Sequence, residues 1–140
     1  MIVVPYQATH MKALVAQRAQ QYLGAYMTPE YCASLESTLA FAAIEDGTVL
    51  GCGGLMEMWA HRALVWSFVG ANAGKHFTKI HRAVKEFIDN APYRRIEAEV
   101  DVDFAPGHRW ARMLGFTLEA ERMKCFRVDG GDSALYAKVK

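Results

Sequence analysis

Cysteine is scarce in this chain, and what there is argues against covalent or metal scaffolding. Cys32, Cys52 and Cys125 are odd in number and widely spaced, and Cys52 sits in the apolar stretch Leu-Gly-Cys-Gly-Gly. They read as buried, reduced thiols, which excludes a disulfide frame or zinc knuckle and favours a reducing compartment. Charge of one sign is missing as well: 16 Lys and Arg stand against 15 Asp and Glu, a net charge of +1. No field steers such a chain to nucleic acid or anionic lipid, so neither is expected as a partner. Long hydrophobic runs are also lacking. The opening MIVVPYQATH has no basic n-region and no small-residue cleavage site, and its apolar run falls far short of the roughly 20 residues a membrane span needs. The expectation is a soluble, cytoplasmic protein. The five histidines are scattered, and His76 and His81 are too poorly spaced to share a helical face, so no metal site is expected. No repeat or Pro/Gly/Ser linker divides the chain, which predicts one domain over 1–140.

What is present suffices for a core, with 52% hydrophobic and 22% charged residues. Ile2 to Pro5 reads as a short strand. Thr9 is placed to cap a helix carrying Met11, Leu14, Val15, Tyr22 and Leu23 on one stripe, with Gly24 ending it. Thr28-Pro29-Glu30 combines a capping hydroxyl, proline at the first helical position and an early carboxylate, predicting a second helix to about Ser37. Leu39 to Glu45, the turn Asp46-Gly47 and Thr48 to Trp59 form a hairpin. Gly51, Gly53 and Gly54 in its second arm suggest a bulge or a close approach by another backbone or a ligand.

Ala63 to Val69 is apolar at nearly every position, as a central strand is. Phe77, Ile80, Val84, Phe87 and Ile88 then lie on one helical stripe, stopped by Asn90-Ala91-Pro92. Arg95 to Val102 alternates an apolar face with the carboxylate face of Glu97, Glu99 and Asp101. A short helix from Pro106 to Leu114 closes on Gly115 at the left-handed cap position with Phe116 beyond it. Two strands, about Leu118 to Arg127 and Ser133 to Val139, flank the turn Asp129-Gly130-Gly131-Asp132.

This order of elements covers essentially the whole chain and resembles the GNAT N-acetyltransferase superfamily. The segment IEAEVDVDFAPGHRWARMLGFTLEAE, with Leu114-Gly115-Phe116 at its helix end, is similar to the second half of that fold. The implied architecture is an α/β (α+β) domain with a mixed, mostly antiparallel sheet of about seven strands and about four helices. The spelling Arg-Trp-Ala-Arg-Met-Leu-Gly-Phe also resembles small acetyltransferase-like proteins of tailed phages and prophages, some of them virion components.

The resemblance implies a site for acetyl-CoA as co-substrate. In the family the central strand splays from its neighbour and pairs with the pantetheine arm, while the following loop and helix start hold the pyrophosphate, as free amides and a positive helix end would. Carried onto this chain, these are Val69, Gly70, Ala71, Gly74, Lys75, His76, Phe77 and Thr78, with an amide near Val69 facing the thioester oxygen. Three positions depart from the pattern: Phe77 stands near a phosphate-loop glycine, Phe104 at a cofactor-binding asparagine and Ala111 at the tyrosine that protonates the departing thiolate. A CoA thiol can leave without that acid.

Transfer to an amine needs a base, because an ammonium with a pKa of about 10.4 is not nucleophilic. Glu57, Glu99 and Asp101 are the candidates, Glu57 because Met56, Met58 and Trp59 around it would raise its pKa. Trp110 lies beside the cofactor helix. Two functional expectations stand: an N-acetyltransferase acting on a small-molecule or peptide amine, or a non-catalytic phage or prophage structural or interaction module that kept the packing and lost the site. The last strands of such folds can pair between subunits, so a homodimer and a phage-protein partner both stay open.

Overall fold

The alternation and turn signals of the chain are realised as strands in the computed structural model, which describes residues 1–14 and 18–140. They are β1 (Ile2–Pro5), β2 (Leu39–Glu45), β3 (Thr48–Trp59), β4 (Arg62–Val69), β5 (Arg95–Asp101), β6 (Thr117–Met123) and β7 (Ser133–Val139). One seven-stranded sheet results, in the order β1-β2-β3-β4-β5-β7-β6. β4 and β5 run parallel, whereas β1 with β2, β2 with β3, β5 with β7 and β6 with β7 are antiparallel. The helices are α1 (Ala8–Ala13), α2 (Pro29–Ser34), α3 (Phe77–Asn90) and α4 (Ala105–Met113), joined by 3-10 segments at Arg18–Tyr26, Leu35–Ser37 and Gly74–His76. The expected mixed, mostly antiparallel α/β architecture is therefore the one formed. No helix among the described residues is long and apolar enough to cross a membrane.

The chain divides into two compact units, Met1–Met56 with Trp66–Ala83, and Glu57–Val65 with Val84–Lys140. In the first, Tyr6, Met11, Cys32, Leu35, Ala40, Ala42, Val49 and Cys52 form a buried cluster against which Trp66 and Phe68 pack. The Tyr6 hydroxyl donates to the Cys32 carbonyl at 2.9 Å, and the Trp66 ring meets Tyr6 edge-on at 5.5 Å. Burial pushes the Tyr6 phenol up and the Cys52 thiol up to about 12, so neither ionises near neutrality.

Several expectations for this unit are corrected. Thr9 is not the cap: the helix begins at Ala8 behind Gln7, whose backbone N–H donates to His10 Nδ1 at 3.0 Å. Nor does the helix run on to Gly24, since Leu14 is already extended and Arg18–Tyr26 is 3-10, with Gly24 inside it; Val15 falls outside the described residues. The β2–β3 register slips between Ala43 and Ile44, where Leu50 is the extra residue. The β3 glycines make room for backbone: a Cβ on Gly54 would lie 2.4 Å from the Leu39 carbonyl oxygen, and one on Gly53 2.9 Å from that of Trp66.

In the second unit β7 lies between β5 and β6, and Ile96, Ala134 and Tyr136 are fully enclosed. The carboxylate face of β5 is not uniform in its exposure. Glu97 is buried beneath Arg62 and Arg95, with Arg62 Nε and Nη2 donating at 2.7 and 2.8 Å and Arg95 Nε at 2.6 Å. β6 ends at Met123, short of Arg127, and Cys125 is exposed rather than buried.

Candidate functional site

Strand β4 alternates, and its alternation sorts its backbone groups into two edges. Gly70 N–H donates to the Leu50 carbonyl at 2.7 Å, and the carbonyls of Phe68 and Trp66 face Gly51 and Gly53, so the even positions from 66 to 70 serve β3. Ser67 and Val69 therefore face the other way. The parallel register with β5 covers Arg62–Val65 against Arg95–Ala98 and goes no further. Beyond it, the Gln20 side chain takes up both groups: Nε2 donates to the Ser67 carbonyl at 2.9 Å, and the Val69 N–H donates to Oε1 at 3.1 Å.

The loop after β4 is tighter than its glycines suggest. Ala73 N–H donates to Gly70 O at 3.1 Å, His76 N–H to Ala73 O at 2.9 Å, and the Phe77 N–H to Gly74 O, so a 3-10 turn runs directly into α3. Both backbone groups of Gly70 are thus engaged inside the protein. The amides of Gly74 and Lys75 carry no such bond among the described residues and stand at the start of this helical run, where anions are favoured. Ala71, Gly74, Lys75 and Thr78 are exposed, and His76 and Phe77 are half-buried, the Phe77 ring stacking on His81 at 6.3 Å. A Cβ at Gly74 would meet nothing within 4 Å, so this glycine is not required by packing.

The candidate bases lie in the second unit and differ in chemistry. Glu57 is exposed and accepts from the Tyr93 hydroxyl at 2.9 Å. The apolar enclosure expected around it does not form, since Met58 and Trp59 are exposed as well. Asp101 is paired with Arg127 at 3.5 Å. Glu99 reaches solvent at its surface, yet the protein around its carboxyl desolvates it, and Glu97 adds a like charge; both raise its pKa. Glu99 and Asp101 share one face of β5, while Glu57 is tied to Tyr93 ahead of that strand.

Phe104 precedes α4 as its N-terminal cap residue and Ala111 is buried in its last turn, so neither offers a polar group where the resemblance would place one. Sequence reasoning missed Gln20 entirely, along with a polar pair in the second unit. His108 Nδ1 lies 2.7 Å from the Tyr136 hydroxyl and Nε2 2.8 Å from the Val102 carbonyl, bordering a cleft of about 480 Å³ that Arg109, Arg112 and Glu121 also line. Sequence separation hid both.

No family model and no curated protein matches the sequence. Solved structures match it in three dimensions. Ard1 from Thermoplasma volcanium superposes with a TM-score of 0.79 at 14% identity, over 99% of this chain and 96% of that one. An acetyltransferase of the GNAT family from Streptococcus pneumoniae gives 0.69 at 13% identity, covering 99% and 98%. One from Bacillus anthracis gives 0.67 at 15%, covering 98% and 93%. At these identities the likeness is one of architecture, and it extends over nearly the whole chain. The protein has the fold of the GNAT acetyltransferases.

Proposed function

We propose that this protein is an acyl-CoA-dependent N-acetyltransferase of the cytoplasm, moving an acetyl group from acetyl-CoA to a small-molecule or peptide amine. The observation that carries the reading is the outward edge of β4, where Ser67 O and Val69 N–H lie past the end of the β5 register and bind an amide group, that of Gln20. An amide in the pantetheine arm of acetyl-CoA has the same donor and acceptor. The Gly74 and Lys75 amides and the Lys75 ammonium would hold the phosphates, and exposed Thr78 adds a hydroxyl.

When bound, acetyl-CoA supplies an activated thioester. Its carbonyl oxygen, where negative charge develops, takes a donor other than the Val69 N–H, which the arm's amide occupies. Of the three carboxylates, Glu99 suits a base best, because its raised pKa brings proton affinity closer to that of the group it must deprotonate.

Calorimetric titration with acetyl-CoA tests the reading. Binding is expected, weakened about tenfold or more by Lys75→Glu, since that change replaces an attractive charge by a repulsive one. Absence of heat at millimolar ligand sinks it. The residues Phe77, Phe104 and Ala111 favour a second reading, a non-catalytic module of phage or prophage kind. Binding without thiol release in the presence of peptide, lysine and polyamine amines would select that one.

A further inference from the structure

Gln20 does on β4 what one residue of a parallel strand would do. Ser67 O and Val69 N–H flank a single position, and a parallel partner fills both from one residue, its N–H donating to the first and its C=O accepting from the second. The carboxamide of Gln20 supplies that same pair of atoms. The contact is tertiary rather than local, with 47 and 49 positions separating Gln20 from its two partners. It also relieves a cost, because backbone groups left without a partner at a half-covered edge lose about a hydrogen bond each.

Val69 N–H has one proton to give. While it is given to Gln20 Oε1, no ligand carbonyl can take it, so an incoming amide and Gln20 exclude each other. We propose that Gln20 is an autoinhibitory plug on the outward edge of β4, displaced by the amide of an acyl-CoA arm. This rests on the acyl-CoA reading above and adds a residue that regulates it. The affinity measured for the wild-type chain is then the intrinsic affinity reduced by the fraction of molecules whose edge is open.

Gln20→Met keeps the side-chain length and removes both donor and acceptor, and Gln20→Ala serves as a second variant should Met repack. Each is titrated with acetyl-CoA by calorimetry, with hydrogen exchange at the Val69 amide as a ligand-independent readout. The variants are expected to bind about tenfold tighter, as when the closed form outweighs the open one about nine to one. The Val69 amide is expected to exchange slowly in the wild type, fast in the free variants and slowly again with acetyl-CoA. Equal affinity in wild type and variants overturns the plug and leaves the acyl-CoA reading standing. Fast exchange at Val69 in the wild type overturns it too. Failure of wild type and variants alike to bind at millimolar ligand removes the acyl-CoA reading and the plug together.

Discussion

His108 spends both ring nitrogens inside the protein, and its partners fix where its proton sits. A carbonyl only accepts, so Nε2 carries the hydrogen toward Val102 O, and Nδ1 accepts from the hydroxyl of the fully buried Tyr136. Replacing His108 by Phe leaves a buried hydroxyl without a partner, with an expected loss of about 1–3 kcal/mol in chemical denaturation. Removing the hydroxyl too, with Tyr136→Phe, should recover part of it. Glu99 predicts the opposite sign. Its charged form is disfavoured in the folded chain, so Glu99→Gln should raise the melting temperature at neutral pH while it lowers transfer. An unchanged rate would remove Glu99 from the mechanism. The pairing of His108 was not legible in the sequence; Glu99 was legible as one of three candidate bases, on alternation with Glu97 and Asp101, but only the fold shows that Glu97 is neutralised by Arg62, 35 positions away.

Elements were legible where their signals are local. The end of α4 is such a case: Phe116 N–H donates to Ala111 O at 3.0 Å and Gly115 N–H to Arg112 O at 3.0 Å, with Gly115 at φ +91°, which is the Schellman ending its tripeptide announces. Gly115→Ala should cost about 1–2 kcal/mol, because an L-residue is strained there, and its Cβ would come within 3.1 Å of Lys138 Nζ. That lysine donates to Leu114 O at 3.1 Å and pairs with Asp89, so it holds the last carbonyls of α4 to the end of α3. The long first helix failed for the complementary reason. Its apolar spacing is real, but helix stability comes mostly from the packing of a buried face, and Leu14 already takes an extended conformation. The loop after β4 is placed by its position behind that strand, whereas its geometry is set by backbone bonds of Gly70, Ala73 and Gly74 that composition does not encode.

At the scale of the molecule, the carboxylates held below their ordinary range are unevenly divided between the two units. Glu97 is held down to about 2, first by its bond to Arg62, and Asp89 to about 2 by Lys138 and Lys85. Glu119, Asp129 and Asp132 are lowered as well, each by bonds within the second unit. In the first unit only Glu45 is lowered among the described residues. A depressed carboxylate contributes stability that is fully present above its unfolded-state pKa, about 4.3 for Glu and 3.9 for Asp, and is lost as pH falls through the folded value. Acid should therefore weaken the second unit first. Hydrogen exchange followed from pH 5 down to pH 2.5 should show amides of β5 and β7 losing protection ahead of those of β2 and β3. Glu97 carries the largest share, since it is covered while the surface pairs are screened by solvent. Glu97→Gln leaves Arg62 and Arg95 without their common partner; because both arginines still reach water, the expected cost at neutral pH is about 1–3 kcal/mol. The same change should flatten the acid limb, because the group whose protonation drives it is gone. Loss of protection in β2 and β3 first, or an acid limb unchanged by Glu97→Gln, would place the acid sensitivity elsewhere than in this ion network.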